Sequence, residues 1–540
     1  MPGPRTLLSP VAAAAALLAA GCWSAAASRE SADAEVYPIL DHTSRGVTGQ
    51  HKVFPLERPV DTLRHRLLEG GAPVMLSLIE ALDVAAENSR DFQRQKEQLY
   101  LAALDLTRNE HDFAVRFAGG GSAVVSGTGD DEADVALSDN LSASVNSVYG
   151  TRVVASFVNT FLRSVVHGGS FDGSSILNFA ITQPLLSGAG IRVVREPLTQ
   201  AERDVVYAVR SFEHFRSTFA VRVVSEFYDV VRQVADLQNV DANYRSFVTS
   251  REQIEELVRA GRRTITDLGR AKQSEYSADA QSVAAQARLQ TSLDRFKITL
   301  GLPVTANVSL DMHELDRLST QGVEPLHLDE AQALAIALTR RYDHRTIVDQ
   351  VEDAGRRILV SEDALQMALD FTAALNVPAE SGKGLNLDWS RVNWSAGFNL
   401  DLALDKLVER NAYRSSLISF DAAVRAREAS EDQVALDVRS ALRNIQTAYD
   451  SYHIQSEALR LARTRVEATT DLYDAGRVEA LEKLDAQDAL LQAQLDLSAA
   501  TVDYAVARLT LLRDLEGLSL EPRGLRYDPA LPIPEPKATD

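Results

Sequence analysis

Two long stretches of this sequence contain neither glycine nor proline, and both end at the same tripeptide. The first covers residues 198–260 and the second residues 398–475, and they end at Ala260-Gly261-Arg262 and Ala475-Gly476-Arg477. Because glycine and proline are the residues that interrupt helices, each stretch predicts one long helix. At 1.5 Å per residue, the first would reach roughly 95 Å. Ordinary helices have three or four turns, so the chain is expected to span a distance.

The long-helix pattern belongs to a duplicated unit. Helix-compatible sequence continues after each turn, and the two turns lie 215 positions apart. The closing segments 299–302 and 515–518 are 216 positions apart, so the ends of the two copies are in register. We therefore predict one elongated domain made of two repeats, residues 76–303 and 326–518. The first repeat has about 35 extra residues, which fall in its non-helical part.

Two strands are predicted between the helices of each repeat. Residues 153–161 and 176–182 of the first repeat are rich in β-branched and aromatic residues, as strands are. The second repeat has shorter equivalents at 364–375 and 392–404, where Trp394, Phe398 and their apolar neighbours alternate with small polar residues. Each repeat is thus predicted to be helix, strand, strand, long helix, turn and helix, with four strands per chain. Apolar residues spaced by three, four and seven along the second pair of helices predict coiled packing.

The N-terminus reads as a targeting segment. The apolar run at residues 11–20 is too short to span a bilayer and ends in Leu18-Ala19-Ala20-Gly21-Cys22, which is similar to a bacterial lipobox. Cys22 is the only cysteine of the chain, and residues 1–22 are therefore predicted to be a signal peptide with lipidation at Cys22. Ordinary cleavage after Ala25-Ala26-Ala27 is the alternative. Residues 23–75, which carry several prolines, are predicted to be extended, and residues 519–540 form a proline-containing tail.

Composition excludes several classes of function. The net charge of −20 argues against nucleic acid as a partner, because phosphate binding needs a basic surface. The sequence contains no phosphate-binding loop, zinc-protease motif or nucleophile elbow, so an enzyme is not expected, and neither is a cofactor. The acidic run at residues 130–132 fits a solvated loop better than a cation site, so no metal is predicted. No stretch of 18 apolar residues follows the N-terminus.

Four alternating strands cannot cross a membrane alone, because the two sheet edges would leave backbone groups unpaired in hydrocarbon. If the strands insert, the sheet must close by oligomerisation. Two copies would give eight strands with a filled bore, and three copies would give twelve strands around a lumen. The alternative is a soluble β-patch on a coiled-coil scaffold.

Several motifs in the two repeats occur in a characteristic order: Thr182–Gly190, Trp394–Phe398, Glu409–Arg414, Leu472–Arg477 and Leu484–Gln487. On these segments the chain resembles the TolC-type outer-membrane efflux proteins over roughly residues 75–518. The resemblance implies a mainly α-helical fold with a small β part: a trimer with a twelve-stranded outer-membrane barrel continued by a helical periplasmic tunnel. It also implies docking to a periplasmic adaptor protein and to an inner-membrane pump.

The resemblance also implies a gate at the periplasmic tips of the helices. Tyr473 matches the gate tyrosine of the family, and Glu482 and Asp485 match its two inward acidic positions. Val478 stands where the family has a gate arginine, one residue after Arg477. In the first repeat Asp267 matches Glu482, but Arg270 replaces the second acid. Since Glu482 and Asp485 are three residues apart, a trimer would carry six carboxylates that favour cations; the alternative is an exposed acidic pair without this role.

The glycines and arginines of the two turns, Gly261, Arg262, Gly476 and Arg477, are predicted to form the hairpin tips that dock the adaptor. The predicted function is a passive duct in the bacterial outer membrane, anchored by lipid and extending into the periplasm, in a tripartite efflux or type I secretion system. A periplasmic coiled-coil scaffold lipoprotein without a pore is the competing class. The sequence of a duct does not identify the substrate that it exports.

Overall fold

The computed structural model describes residues 24–49, 55–57, 61–68, 73–128, 132–164, 172–326, 328–379, 386–521 and 524–528. Cys22 and the rest of the signal peptide, the acids at 130 and 131, and the tail after residue 528 lie outside these residues. The chain divides into two compact units. The first comprises the described parts of 1–53, 98–209 and 349–425, and the second comprises those of 54–97, 210–348 and 426–540.

Both predicted repeats begin with two helices and end with a long helix, a turn and a further helix, but the first has four strands in between and the second has two. The elements up to the end of the first repeat are α1 (Ala25–Thr48), α2 (Leu63–Leu68), β1 (Val74–Leu76), α3 (Leu78–Asn88), α4 (Arg90–His111), β2 (Arg116–Thr128), β3 (Glu132–Asn146), β4 (Arg152–Ser164), β5 (Asp172–Pro184), α5 (Ile191–Val194), α6 (Glu196–Arg259) and α7 (Ile265–Thr299). Those that follow are β6 (Val308–Leu310), α8 (His313–Gln321), α9 (Glu330–Arg340), α10 (Tyr342–Asp363), β7 (Ala368–Pro378), β8 (Asn393–Asp401), α11 (Leu407–Asp474), α12 (Ala480–Asp514), β9 (Leu518–Glu521) and β10 (Gly524–Tyr527).

The long helices are confirmed. Helix α6 has 64 residues and α11 has 68, and each ends just before its predicted glycine. The repeats also begin as predicted. Ser77 caps α3 in a reciprocal capping box with Glu80, and Asp329 caps α9 through a hydrogen bond from the Ala331 amide.

Six antiparallel strands form one sheet, which we call the main sheet, in the order β2-β3-β4-β5-β7-β8. The prediction of four strands per chain is therefore wrong. Strands β4, β5, β7 and β8 are the predicted ones, and β2 and β3 are additional. They occupy the extra length of the first repeat. Three consecutive glycines in β2, Gly119 to Gly121, hide its alternation, since glycine is neither clearly apolar nor polar and is depleted in strands. We name β2 and β3 together the extra hairpin.

The leader was predicted to be extended, and this is wrong for residues 25–48, which form helix α1. Ser24 caps the helix, and Val36, Leu40 and Ser44, spaced by four, are its buried residues. The prolines suggested an extended chain, but only Pro38 falls inside α1. The helix is tied to its unit by Asp33, whose carboxylate accepts a 2.6 Å hydrogen bond from the Tyr100 hydroxyl.

The second unit has an aromatic core. Phe92 packs against Phe212 and Phe219, with ring centroids 5.7 and 5.5 Å apart, and all three are buried. Phe227 and Phe296 meet edge to face at 6.1 Å and join α6 to α7. Such contacts add to the hydrophobic free energy of burial.

Candidate functional site

The two faces of the main sheet differ in polarity across all six strands. Residues that pair across antiparallel strands share a face, so the register assigns each side chain. On one face Leu141 pairs with Phe157, which pairs with Leu177. This apolar face consists of Phe117, Ala123, Val125, Val135, Leu137, Leu141, Ala143, Val145, Val153, Ala155, Phe157, Phe161, Leu177, Phe179, Ile181, Leu369, Phe371, Ala373, Leu375, Val377, Trp394, Ala396, Phe398 and Leu400.

Large side chains of the apolar face are exposed. Phe117 and Trp394 are each 77% exposed, and Phe398 is 70% exposed. These residues lie on β2 and β8, the two outermost strands of the sheet. Exposing an apolar patch that crosses a whole sheet to water is unfavourable. Such a patch therefore marks a surface that contacts lipid or another protein.

The opposite face carries mostly small and neutral polar side chains. Ser122 and Ser138 are in hydroxyl contact at 2.7 Å across β2 and β3, and the Asn178 amide reaches the Ser156 hydroxyl at 3.5 Å. On β8 the residues of this face are Asn393, Ser395, Gly397, Asn399 and Asp401. We call it the polar face. Its hydroxyl and amide groups suit contact with water, so the two faces of the sheet suit different environments, one aqueous and one apolar.

In the second unit, both helix hairpins turn in the same way. Gly261 and Gly476 each have a φ of 71°, in the left-handed region that glycine adopts without strain. After α6 the Arg262 amide donates to the Leu257 carbonyl at 2.8 Å, and after α11 the Arg477 amide donates to the Leu472 carbonyl at 2.9 Å. This 6→1 bond is the Schellman motif of helix ends. The predicted turn role of both glycines is confirmed, and Arg262 and Arg477 are exposed.

The helices that leave the two turns are capped differently. Thr264 caps α7, and its hydroxyl and amide both contact the Asp267 carboxylate, at 2.8 and 3.0 Å. The hydrogen bond from the Thr264 backbone lowers the pKa of Asp267. In the second repeat the equivalent positions are Glu479 and Glu482, and Glu479 makes no side-chain capping hydrogen bond. The carboxylate of Asp267 is therefore engaged within its own turn, whereas Glu482 is exposed.

Tyr473 lies in an apolar cluster between the two hairpins. The cluster includes Ile254, Ala271 and Leu484, and Val478 packs against it. Burial raises the pKa of Tyr473, and its hydroxyl has no hydrogen-bond partner among the described residues. Tyr473, which the family resemblance places at a gate, therefore packs within the chain while its hydroxyl stays unpaired among the described residues.

Two cations flank the Tyr473 ring, and sequence reasoning missed both. The guanidinium carbon of Arg263 lies 5.1 Å from the ring centroid, and the Lys483 ammonium lies 5.0 Å from it. Arg263 Nη2 also lies 3.4 Å from the Val478 carbonyl oxygen. These are cation–π distances. Val478 has no charge, but Arg263 of the first turn brings an arginine to the tyrosine. A signal was available, because Arg263 directly follows Gly261-Arg262.

Glu482 and Asp485 are both exposed on α12, so the structure leaves this pair accessible to ions. One turn further on, burial raises the pKa of Asp488, and the Asp485 carboxylate adds to the increase. Asp488 also accepts a 3.4 Å hydrogen bond from the Asn243 amide. Negative charge is therefore concentrated along the start of α12, within three helical turns of Gly476.

Membrane-spanning helices and metal-binding clusters are both absent from the described residues. None of the helices placed by the structure is long and apolar enough to cross a membrane. Within the same residues, no group of three or more His, Cys, Asp or Glu side chains is arranged to hold a metal ion.

Comparison with known proteins identifies the class. Residues 350–515 match the family described as outer membrane efflux protein. The chain is 23% identical over 324 residues to the outer membrane protein TolC of Vibrio cholerae, covering 60% of this chain and 73% of the relative. The resemblance to outer-membrane efflux proteins that the sequence predicted is therefore confirmed, and this relative is named an outer membrane protein.

Solved structures of this class share the fold. The outer-membrane channel OprN matches with a TM-score of 0.58 and 16% identity, over 86% of this chain and 94% of that chain. The CmeC outer membrane channel of Campylobacter jejuni matches with a TM-score of 0.61 and 14% identity, over 84% of this chain and 87% of that chain. Both of these solved structures are described as outer-membrane channels.

Proposed function

We propose that this protein is the passive outer-membrane channel-tunnel of a tripartite efflux or type I secretion system. It works as a homotrimer and receives its substrates from an inner-membrane pump through a periplasmic adaptor protein. The observation that carries the proposal is the division of the main sheet into one apolar and one polar face. The match of residues 350–515 to the outer membrane efflux protein family supports it.

The apolar face of the sheet is the lipid-facing surface in this proposal. Each strand of the main sheet has at least nine residues, and about nine to eleven are needed to cross a bilayer. Strands β2 and β8 are open edges, because each is paired on one side only. Unpaired backbone groups cost several kcal/mol each in hydrocarbon. Insertion therefore requires the sheet to close with further copies of the chain, around a lumen lined by the polar face.

The helix hairpins form the periplasmic tunnel and its closed end. The two turns present exposed backbone and side chains at Gly261, Arg262, Gly476 and Arg477, and these residues are the proposed adaptor contacts. The exposed acids Glu482 and Asp485, six carboxylates in a trimer, form the cation-binding constriction. The cluster of Tyr473 with Arg263 and Lys483 holds the hairpins together in the closed state.

Planar-bilayer conductance of the purified protein tests the channel. We expect trimer-sized channels from the wild type. Phe398→Arg places a charge on the apolar face, where it costs about 2–4 kcal/mol in lipid and should abolish insertion. The neighbouring Asn399→Arg places the same charge on the polar face and serves as the matched control. It should insert normally and shift the ion selectivity toward anions.

Equal effects of the two arginine variants would contradict the assignment of the faces. Wild-type protein that never forms channels would leave the scaffold lipoprotein as the better interpretation.

The lipid anchor at Cys22 is proposed from the sequence alone, since Cys22 lies outside the described residues. Cells are labelled with radioactive palmitate, and label on the wild type that is absent from Cys22→Ser is expected. Label on neither protein would favour ordinary signal cleavage.

A further inference from the structure

We infer that the extra hairpin belongs to the membrane barrel, and that β2 of one chain pairs with β8 of a second copy. Each chain then contributes six strands, and a trimer closes an eighteen-stranded barrel rather than a twelve-stranded one. The inference rests on the proposed function and adds the composition of the pore and the contact between subunits.

The first argument is the continuity of the two faces. Val125 pairs with Val135 and Ala123 with Leu137 between β2 and β3, and Leu137 pairs in turn with Phe161 of β4. These side chains extend the apolar face without a break in register. The two strands of the extra hairpin have 13 and 15 residues, which is enough to cross a bilayer. A hairpin outside the membrane would have no reason to repeat this alternation.

The second argument concerns the charge on the apolar face of the extra hairpin. Asp139 of β3 is paired in register with Asn159 of β4, and its carboxylate accepts a 2.6 Å hydrogen bond from the Asn159 amide. Asn159 is 5% exposed, and Ser175, the next residue across the sheet, is fully buried. The hydrogen bond offsets the cost of placing the Asp139 carboxylate on this face, whereas Asn159 Oδ1 and the Ser175 hydroxyl have no hydrogen-bond partner among the described residues. The extra hairpin and β4 are thereby joined by a side-chain contact as well as by the backbone.

The third argument is the position of the free edges. Each residue from Asp134 to Asn146 has a partner on β4, so β3 occupies the edge at which a four-stranded version of the sheet would end. The edges that remain are β2 and β8. Proteins protect exposed edges with proline, lysine or inward charges. Residues 117–127 and 394–400 contain no proline and no charged residue, as expected for strands that pair with another chain.

The fourth argument is strand direction. Consecutive strands of the main sheet are antiparallel, and an even number of strands makes β2 and β8 run in opposite directions. Copies related by rotation about a barrel axis therefore bring β8 of one chain antiparallel to β2 of the next, as in outer-membrane barrels. Gly119, Gly120 and Gly121 of β2 leave room for a close approach of the incoming backbone.

Barrel diameter grows roughly in proportion to strand number, so eighteen strands give a pore about 1.5 times as wide as twelve. Barrels of 16–18 strands leave an aqueous channel. The extra hairpin contributes the hydroxyl groups of Ser122, Ser138 and Ser142 to the lumen, together with the carboxylate of Asp134, which lies on the same face.

Cysteine crosslinking between polar-face positions of the edge strands tests the pairing. Ser122→Cys on β2 is combined in turn with Ser395→Cys, Gly397→Cys and Asn399→Cys on β8, which covers different registers. Oxidised outer membranes should give a crosslinked product of three chains with at least one combination. Ser122→Cys with Ser174→Cys of β5 is the matched control, because β5 lies inside the sheet and should give none. Each single-cysteine variant is a further control, because any crosslink that it forms shows crosslinking through Cys22.

The competing arrangement has the extra hairpin outside the barrel and pairs β4 with β8. Crosslinking of Ser156→Cys with Ser395→Cys, without any product from Ser122→Cys, would overturn the inference, as would a crosslinked product of two chains only. Absence of crosslinks in every combination, in protein that still forms channels, would overturn it as well. All of these results leave the proposed channel function intact, whereas its own failure appears as wild-type protein without channels.

Polymer exclusion provides a second measurement that needs no cysteine. Polyethylene glycols of increasing size are added on the extracellular side of single channels. The wild type should admit polymers about 1.5 times larger in radius than a variant that lacks residues 116–146. If both channels exclude the same polymers, the extra hairpin does not line the pore.

Discussion

At the scale of single residues, the two ends of the repeats show how much depends on one backbone angle. Gly301 ends α7 with a φ of 75°, and Glu516, 215 positions later, takes the same left-handed role with a φ of 50°. A β-carbon at position 301 would lie 2.1 Å from the Asn88 carbonyl oxygen. Only glycine fits there, whereas the second repeat accepts a glutamate.

Gly301→Ala is therefore expected to destabilise the second unit by about 2–4 kcal/mol, since it combines left-handed strain with a backbone clash. Thermal unfolding of the variant measures this. Gly261→Ala is the control, because its φ of 71° is similar and no heavy atom lies within 4 Å of the added carbon. Equal losses of stability in the two variants would show that the contact with Asn88 does not matter.

Glu516 also affects the pKa of a histidine, His214. Its carboxylate lies 2.8 Å from His214 Nδ1, and this hydrogen bond raises the pKa of His214 although burial opposes the increase. Asp343 raises the pKa of His214 further and Arg341 lowers it.

A histidine whose pKa is raised on folding stabilises the folded protein. This contribution is fully present below the pKa of the unfolded state, about 6.5, and is lost as the pH rises through the pKa of the folded state. The melting temperature of the wild type should therefore fall more from pH 6 to pH 8 than that of His214→Gln. Parallel curves would exclude His214 as the cause.

At the scale of elements, the two hairpins differ at one capping position. Thr264 and Asp267 cap α7 reciprocally, while Glu479 cannot donate a hydroxyl hydrogen bond to Glu482. Glu479→Thr should create the missing capping box and stabilise the start of α12 by about 0.5–1 kcal/mol.

Hydrogen exchange of the first α12 amides measures this stabilisation, with Glu479→Ala as the control that removes the same charge without providing a cap. If the threonine and alanine variants exchange equally fast, the cap does not form. If it forms, the Glu482 carboxylate is drawn into its own turn, as Asp267 is.

At the scale of the whole molecule, the proposed role of the acids at the start of α12 depends on the symmetry of the proposed trimer. One chain presents Glu482 and Asp485 as an ordinary exposed pair, and the proposed trimer gathers six carboxylates around one axis. Changing both residues to alanine should weaken block of the channel by multivalent cations by about tenfold or more, because several like charges act on the same ion.

Single-channel recording with a trivalent cation on the periplasmic side measures this block. Asp267→Asn removes one charge per chain at a carboxylate already engaged in capping, and it should leave the block unchanged. A block that persists in the double alanine variant would place Glu482 and Asp485 outside the constriction.

The long helices, their glycine turns and the capped starts of both repeats were predictable, because helix periodicity and capping are local. Strands β4, β5, β7 and β8 were predictable for the same reason. Strand β2 was not, since its three glycines carry no alternation of their own and it is a strand only because β3 pairs with it. Helix α1 was also missed, because the prolines of residues 23–75, of which only Pro38 lies in the helix, obscured the four-residue spacing of Val36, Leu40 and Ser44.

The residues of the candidate site also fall into those that local sequence predicts and those that it does not. Gly261, Gly476 and the exposed acids could be assigned from sequence, because a turn and a helix face are local properties. The pairing of Tyr473 with Arg263 joins residues more than two hundred positions apart. The engagement of Asp267 by Thr264 was local, and the Thr-x-x-Asp spacing was its signal.

By itself, the sequence determined the duplicated helix hairpins, because these depend on periodicity over neighbouring residues, and its motifs carried the resemblance to outer-membrane efflux proteins. Only the tertiary structure decided that the main sheet has six strands, which strands remain as its free edges, and which cations flank the Tyr473 ring. These properties depend on pairing and packing between distant segments. The free energy of such a contact depends on both partners, so neither segment alone carries a sequence pattern that predicts it.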